Sequence, residues 1–272
     1  MDIMFNMDLS FYISQPFAQH ALLAAIIVAV ICGIVGPFVI MRGMAFAVHG
    51  TSELAFTGAA AGLLVGNNPL AGALCGTVIF ASIIGLLGVK ERERDSVIGV
   101  ILAFGLGMGV LLLSFYHGFA SEATNILFGN IFGVSNGQLV VLTLIGIGAV
   151  VAMLVMYRPL LFASVDPEVA EARGVRLRLI GFLFIIILAL AVTEAAQIVG
   201  TLLVLSLAIT PAAAAQRLSA RPVIVTLLSI TFALIASVGG LIASLALGNV
   251  KASVLITSIS FGIYVIARLV GR

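Results

Sequence analysis

Charged residues are scarce in this sequence: Asp, Glu, Lys and Arg make up 9% of its 272 residues, whereas 62% are hydrophobic. Water-soluble domains carry about 25% charged residues, so this composition excludes an ordinary soluble enzyme or binding domain. The formal net charge of +2 is spread over small clusters and does not form a basic surface for nucleic acid. We therefore expect a membrane protein without a nucleic-acid partner.

Other missing features narrow the class further. The sequence has no GxxxxGK[ST] phosphate-binding loop and no polar stretch long enough for a nucleotide-binding domain, so if the protein pumps, its energy comes from another chain. The two cysteines, Cys32 and Cys75, lie inside apolar runs without metal-ligand spacing, and we interpret them as packing residues. The N-terminal stretch MDIMFNMDLS lacks the positive charge of a cleavable signal, which predicts that the first span is retained.

Long apolar runs predict an all-α, polytopic membrane bundle of eight or nine transmembrane helices. The runs are continuous over roughly 18 to 25 residues, as helices that cross a hydrocarbon core require, and they do not alternate as β-barrel strands do. The second, sixth and seventh runs carry polar residues, so these helices are expected to be short, bent or partly spanning. We place the spans at 18–41, 44–66, 70–89, 97–116, 137–157, 178–195, 197–216, 222–246 and 252–268.

The distribution of Lys and Arg tests this topology, since these residues are retained near span ends on the cytoplasmic side. With nine spans, one side holds twelve of the 13 positive residues and the other holds Lys251 alone. The C terminus is therefore predicted to be cytoplasmic and the N terminus external. The twelve residues are Arg42, Lys90, Arg92, Arg94, Arg158, Arg173, Arg176, Arg178, Arg217, Arg221, Arg268 and Arg272.

A connection on the predicted outer side reads SEATNILFGNIFGVS, residues 121–135. It is moderately apolar, but a helix of this length reaches only about 22 Å, which is too short to cross the hydrocarbon core. Gly129 and Gly133 interrupt it. We predict a re-entrant or interfacial segment at about 121–135.

The longest polar connection, on the predicted cytoplasmic side, contains a short helix at about 166–174. Asp166 is suited to cap the helix N-terminus, Pro167 fits the first helical position, and Glu168 favours the positive end of the helix dipole. Gly174 can adopt the left-handed conformation after the last turn. Such a helix adds nothing to membrane insertion, so it is either a docking element for a partner or a well-capped loop.

One predicted span carries a histidine and a glutamate. Ionisable side chains inside a span cost about 2.5–3.5 kcal/mol each and usually face a bundle interior or a water-filled path. His49 and Glu53 share one helix face, and Ser52 lies on the same side. Three interpretations stay open: a hydrogen-bonded pair that packs the bundle, a proton relay, and a site for a first-row transition metal.

Glu194 and Gln197 form a second polar pair, one turn apart near the junction of the sixth and seventh spans. With Thr193 and Thr201 nearby, they are candidates for lining a translocation path. Alternatively, they satisfy backbone groups that are exposed at a break between helices.

Five separated segments resemble the permease subunits of zinc and manganese ABC importers, in the same order along the chain. The resemblance runs from about residue 16 to 268, and it identifies the chain as similar to the ABC-3 metal permease family. The segments are MRGMAFAVHGTSELAFTGAAAG, DSVIGVILAFGLGMGVLLLS, NILFGNIFGVS, DPEVAEARGVRLRLI and QIVGTLLVLSLAITPAAAAQRL.

This resemblance implies a single permease domain with the fold of vitamin B12 and siderophore permeases, in a prokaryotic plasma membrane. It also implies a transport subunit that is not itself an enzyme, in a permease dimer with two ABC ATPase subunits that hydrolyse ATP and an extracellular metal-binding lipoprotein. Zinc or manganese is implied as cargo, and no permanently bound cofactor is implied. The segment DPEVAEARG matches the family's coupling helix, which assigns ATPase docking to Asp166, Pro167, Glu168, Glu171, Arg173 and Gly174.

The ligand positions depart from the family pattern. The family commonly has Asp and His where this chain has His49 and Glu53, and it has Pro where this chain has Thr57. One imidazole and one carboxylate still share a helix face. The resemblance therefore implies that His49, Ser52 and Glu53 hold the metal transiently during alternating access, whereas a preference among zinc, manganese and iron does not follow.

Two other functions fit parts of the pattern. A permease for an organic metal chelate or a corrinoid would have a wider lumen and would not need paired ligands. A metal carrier or channel that works without an ATPase would also use buried histidine and glutamate. Uptake that depends on ATP and on both side chains distinguishes the metal importer from these alternatives.

Overall fold

The computed structural model describes residues 14–66, 68–87, 91–116, 129–201, 204–248 and 250–271, apart from the side chains of residues 86, 87, 91–95, 197 and 198. Within these ranges the chain forms α-helices and one 3₁₀ turn, and it contains no strand. The α-helices are α1 Pro16–Met41, α2 Ala45–Gly66, α3 Pro69–Leu87, α4 Glu91–Ser114, α5 Asn136–Val165, α6 Pro167–Ala172, α7 Leu177–Val199, α8 Val204–Ala208, α9 Thr210–Leu218, α10 Pro222–Leu247 and α11 Ala252–Val270.

The predicted all-α membrane bundle is confirmed. In the described part of the chain, six helices are long and apolar enough to cross a membrane: α1, α4, α5, α7, α10 and α11. Helix α2 has 22 residues, or about 33 Å of helix, but it contains the polar residues His49 and Glu53. The predicted second span is therefore a continuous helix of spanning length whose composition is mixed.

The predicted seventh span, 197–216, is wrong as a single helix, because the structure has the short helices α8 and α9 there. Helix α7 ends where Gly200 takes a φ of +93°, a conformation that residues with a β-carbon rarely adopt. The second break follows from Pro211 at the start of α9, since proline has no N–H to donate and its ring clashes with the preceding turn. The chain thus crosses this region as a broken helix.

Two contacts bring together helix ends that the positive-charge pattern predicts to be cytoplasmic. The guanidinium of Arg42, just after α1, lies 5.7 Å from the ring centre of Phe184 near the start of α7. Gly271, just after α11, packs against the carbonyl oxygen of Arg217 at the end of α9. The end of α1 thus lies near the start of α7, and the ends of α9 and α11 lie together, while the cytoplasmic side of these ends stays a prediction.

Helix α1 forms the centre of the bundle. Its residues 31–39 are all buried, and it packs most extensively against α10, α5 and α7. A β-carbon on Gly36 would lie 2.6 Å from the carbonyl oxygen of Ala208, so glycine is required where α1 approaches α8. Helix α4, by contrast, packs mainly against α2 and leaves Val100, Phe104 and Val110 exposed. It lies at the periphery of this chain.

Helices α2 and α3 pack through two facing GxxxG patterns. Gly58 and Gly62 of α2 meet Gly72 and Gly76 of α3, and a β-carbon on Gly58 or Gly72 would collide with the carbonyl oxygen of the other residue. Small residues at this spacing let the backbones of membrane helices approach closely. The approach fixes α2, and with it the polar pair, against the rest of the bundle.

The predicted outer segment at 121–135 is described only from Gly129 onward, because residues 121–128 lie outside the described part of the chain. Gly129 has a φ of +75° and precedes the 3₁₀ turn at Ile131–Gly133. Ser135 then caps α5: its hydroxyl accepts a bond from the Gln138 N–H at 3.3 Å, and the Gln138 side chain accepts one from the Ser135 N–H at 3.0 Å. The described portion is thus a turn that leads into α5.

Candidate functional site

The three predicted ligands lie on α2 as their spacing requires. Ser52 and Glu53 are 0% and 3% exposed, and His49 is half-buried. The His49 imidazole lies within electrostatic range of the Glu53 carboxylate. The pair therefore joins an enclosed carboxylate to an imidazole that is partly accessible.

The hydrogen bonds argue against a pair that only packs the bundle. Within the described residues, no hydrogen bond joins His49 to Glu53, and His49 Nδ1 and Glu53 Oε2 are both buried without a hydrogen-bond partner. The Ser52 hydroxyl donates to the carbonyl oxygen of His49 at 2.8 Å, which leaves its own lone pairs as acceptors. Buried polar atoms normally have partners, so these atoms are suited to a ligand that is bound for only part of the working cycle.

Thr57, one turn after Glu53, ties α2 to α4. Its hydroxyl lies 2.6 Å from the carbonyl oxygen of Gly105 and 3.1 Å from that of Glu53, and one proton can serve only one of them well. The shorter contact is the one between helices. A β-carbon on Gly109 would lie 3.1 Å from the same hydroxyl, so α4 approaches closely here. Where the family has proline, this chain keeps a continuous α2 and a hydrogen bond to its neighbour.

A hydrogen bond between α3 and α7 lies next to both carboxylate regions. A β-carbon on Gly76 of α3 would lie 3.0 Å from the carbonyl oxygen of Leu54, which places Gly76 beside the residue that follows Glu53. Thr77, the next residue, accepts a hydrogen bond of 2.9 Å from Thr193 of α7, the residue before Glu194. Helix α3 thus connects the neighbourhood of Glu53 with that of Glu194. Sequence reasoning missed Thr77, whose signal was a lone hydroxyl in an apolar run.

Glu194 occupies an enclosed position on α7. It is 2% exposed, and neither carboxylate oxygen has a hydrogen-bond partner among the described residues. A β-carbon on Gly146 of α5 would lie 3.7 Å from Glu194 Oε2. Thr201 is also buried without a partner for its hydroxyl, and the side chain of Gln197 lies outside the described residues. The predicted pairing of Glu194 with Gln197 thus stays a prediction.

The two polar regions do not merge into one site. Among the described residues, no three His, Cys, Asp or Glu side chains come close enough to hold one metal ion together. The site on α2 therefore offers one imidazole and one carboxylate, with the Ser52 oxygen beside them. Divalent transition metals take four or more ligands, so this arrangement can hold a metal only with water or with groups from another chain.

The short helix predicted at 166–174 is present as α6. Asp166 Oδ1 accepts a hydrogen bond from the Val169 N–H at 3.0 Å, and Gly174 has a φ of +85° after the last turn. Ala170 is fully buried, whereas Glu168, Glu171 and Arg173 are exposed. One face of α6 thus anchors it to the bundle, and its charged side chains are free for a partner.

The comparisons with known proteins agree with the sequence resemblance. The profile of the ABC 3 transport family matches residues 14–271. The manganese transport system membrane protein MntC of Halalkalibacterium halodurans is 34% identical over 230 residues, covering 84% of this chain and 79% of that protein. The high-affinity zinc uptake system membrane protein ZnuB of Haemophilus influenzae is 29% identical over 228 residues, covering 82% and 86%.

Two solved structures share the architecture. PsaBC from Streptococcus pneumoniae, in complex with Fab, superposes with a TM-score of 0.87 and 28% identity over 97% of this chain and 95% of that chain. A metal-chelate type ABC transporter in an inward-facing conformation superposes with a TM-score of 0.69 and 18% identity over 92% and 85%, which shows a common fold. The family match over nearly the whole sequence and the 34% identity establish that the chain belongs to the ABC 3 transport family, as a membrane-spanning permease subunit.

Proposed function

We propose that this chain is the transmembrane subunit of an ATP-driven importer that moves a divalent transition metal, zinc or manganese, into a bacterial cell. The relatives carry names that specify manganese transport and zinc uptake. The observation that carries the proposal is the pair on α2, an imidazole nitrogen and a carboxylate oxygen that are buried side by side without partners. A metal ion is the ligand that would satisfy both.

In this proposal His49, Ser52 and Glu53 bind the metal transiently during alternating access. A closed site with four protein ligands would hold the ion tightly, whereas a site with few ligands releases it when the surrounding helices move. The half-buried imidazole is the group that an arriving ion meets first. The enclosed carboxylate then supplies the negative charge that offsets lost hydration.

The assembly we propose contains a second copy of this chain, two ATPase subunits and an extracellular metal-binding lipoprotein. Helix α6 faces the cytoplasm with the C terminus and docks into the ATPase through Glu168, Glu171 and Arg173. Because α6 leads directly into α7, a displacement of α6 is transmitted into the bundle. Peripheral α4, which leaves Val100, Phe104 and Val110 exposed, supplies a surface for the second copy.

The pair does not select between zinc and manganese by itself. The affinity of a protein site for first-row divalent metals follows a general series in which zinc stands above manganese. Almost any site with histidine and carboxylate ligands therefore binds zinc more tightly than manganese. Selectivity therefore depends on delivery and on the geometry that the second copy completes. The proposed importer therefore has either zinc or manganese as its cargo.

The test is uptake into proteoliposomes that contain this chain with its ATPase and binding protein. We expect zinc or manganese to accumulate only when ATP is present on the side of the membrane that carries the ATPase. Accumulation should cease when the ATPase carries a substitution in its catalytic site. Metal entry that persists without ATP would instead establish a carrier. Uptake of a chelate or corrinoid without free metal would establish the other class of permease.

A further inference from the structure

The turn between α1 and α2 and the turn between α6 and α7 are closed by the same hydrogen-bonded motif. After α1, the Met44 N–H donates to the carbonyl oxygen of Val39 at 2.8 Å, and Gly43 takes a φ of +60°. After α6, the Val175 N–H donates to the carbonyl oxygen of Ala170 at 3.0 Å. A bond that reaches back into the last helical turn across a left-handed glycine is the Schellman motif. Both connections are therefore fixed by backbone hydrogen bonds to the helices that they follow.

The side chain of Arg42 joins the first of these turns to α7. Its guanidinium carbon lies 5.7 Å from the centre of the Phe184 ring, within the range of a cation–π contact. Gly181, one turn earlier on α7, leaves room for the guanidinium, since a β-carbon there would lie 3.5 Å from Arg42 Nη2. Phe184 is fully buried, so its ring cannot move without displacing its neighbours. The turn after α1 is thus held against the first turns of α7.

Phe184 also belongs to a packed group of side chains from four helices. The ring of Phe38 on α1 lies 6.3 Å from that of Phe184 and 5.4 Å from that of Tyr157 on α5, with both pairs edge to face. The Tyr157 hydroxyl lies 3.3 Å from the hydroxyl of Thr226 on α10. The end of α1 is therefore packed into the same group as α7, and Arg42 extends this group to the turn from which α2 begins.

We propose that Arg42 is a positioning residue of transport, which makes the α1–α2 turn follow α7 when α6 is displaced. The inference rests on the proposed docking of α6 to the ATPase. A displacement of α6 passes through the fixed turn into α7, and the contact between Arg42 and Phe184 carries it to the start of α2. His49 lies in the second turn of α2, so its imidazole is the proposed ligand closest to this end. Because α2 also packs directly against α7, loss of the contact weakens the connection without abolishing it.

Hydrogen–deuterium exchange of the assembled transporter tests this assignment, with and without ATP and with an ATPase variant that binds ATP but does not hydrolyse it. In wild type, ATP should change the exchange both at residues 177–184 of α7 and at residues 42–48 around the turn. Arg42→Gln and Phe184→Leu should each keep the change at 177–184 and lose at least about half of the change at 42–48. The matched control is Arg268→Gln, which removes an exposed positive charge at the end of α11 and should respond as wild type does.

Uptake into proteoliposomes gives a second readout. Arg42→Gln and Phe184→Leu should each lower the metal moved per ATP hydrolysed by about threefold or more. The double variant should lose no more than the worse single variant, because both changes remove one contact. Arg42→Lys keeps the charge but not the planar group, so its loss should be smaller than that of Arg42→Gln. Wild type that takes up no metal with ATP would refute the proposed cargo, whereas the exchange experiment does not depend on the cargo and tests Arg42 separately.

The assignment is overturned if the change at 42–48 persists in Arg42→Gln, if wild type changes at 177–184 but not at 42–48, or if ATP changes neither region. Losses that multiply in the double variant would overturn it as well. Should Phe184→Leu fail to elute as a single folded species, Gly181→Leu takes its place, because its side chain would occupy the space beside the guanidinium and displace it. A wild-type response at 42–48 in Gly181→Leu would equally contradict the assignment.

Discussion

Helices α2 and α7 each carry one buried carboxylate, but they surround it differently. Glu53 has a half-buried imidazole one turn before it on the same helix, whereas Glu194 is enclosed by α1 and α5 and has no hydrogen-bond partner among the described residues. A group that lies next to an accessible side chain can exchange a ligand within a transport cycle. We infer that α2 handles the cargo and that the acid on α7 does not have to touch it.

The two helices also differ in how they connect to the cytoplasmic end. Helix α7 follows α6 after a connection of four residues, Arg173 to Arg176. Helix α2 packs directly against α7, and it is also joined to α7 through α3 by the Thr193–Thr77 hydrogen bond and the close glycine contacts. A displacement that begins at α6 would therefore reach α7 first and α2 one helix later.

The largest expected effect is the loss of the imidazole on α2. His49→Ala should lower the initial rate of ATP-dependent metal uptake by at least about tenfold, equivalent to about 1.4 kcal/mol, because one of two protein ligands is removed. The matched control is the exchange His49→Glu with Glu53→His, which keeps both ligand types on one helix face. It should retain more uptake than His49→Ala, and equal loss in both proteins would show that ligand chemistry is not what matters at these positions.

A smaller but substantial effect is expected at α6. Replacing Glu168 and Arg173 together by Ala should reduce uptake about fivefold while ATP hydrolysis continues, because both charges are exposed and available to the ATPase. The measurement is the ratio of metal moved to ATP hydrolysed. A ratio that stays at the wild-type value would show that α6 does not couple ATP hydrolysis to transport. The inference that motion passes from α6 to α7 would then be wrong.

Thr57 should have an intermediate effect because it holds α2 against α4 beside the metal pair. Thr57→Val keeps the shape and removes the hydroxyl that lies 2.6 Å from the Gly105 carbonyl oxygen. The loss of one such bond, about 0.5–1.5 kcal/mol, should lower uptake roughly threefold to fivefold. Thr57→Ser keeps the donor and should transport as wild type does. If the two variants are indistinguishable, the hydroxyl has no part in positioning α2.

The short helix α6 and the membrane spans show how much of the fold can be predicted from local sequence. The pattern DPEVAEARG predicts α6 because capping depends on a few adjacent residues: Asp166 accepts from the Val169 N–H, and Gly174 takes the left-handed conformation. The spans were also predictable, since apolar length is a local property. The seventh span was expected to be short or bent, but its division into α8 and α9 was not located, although Pro211 marks the start of α9.

The site was predictable only in part, for a different reason. The spacing of His49 and Glu53 places them on one helix face without any knowledge of the neighbouring helices. The Thr77–Thr193 bond joins residues 116 positions apart, and the Thr57–Gly105 bond joins residues 48 apart. Such contacts depend on which helices become neighbours.

The smallest expected effect is at the hydrogen bond between α3 and α7. Thr193→Val removes the bond to Thr77, but Thr77 keeps its own donor bond of 3.0 Å to the Ala73 carbonyl oxygen, so no donor is stranded. Hydrogen bonds between membrane helices average about 0.6 kcal/mol, which predicts a change in uptake of less than about threefold. Thermal unfolding of Thr193→Val beside Thr193→Ser measures the bond directly. A large loss of stability in Thr193→Val but not in Thr193→Ser would mean that the hydrogen bond between Thr193 and Thr77 stabilises the bundle more than we infer.

The most direct test of the account compares the two acids in one experiment. Initial rates of ATP-dependent zinc and manganese uptake would be measured for wild type, Glu53→Gln and Glu194→Gln in matched proteoliposomes with the same ATPase and binding protein. We predict that Glu53→Gln loses most of the uptake and that Glu194→Gln loses clearly less. Equal losses, or a greater loss in Glu194→Gln, would contradict the assignment of the cargo to α2.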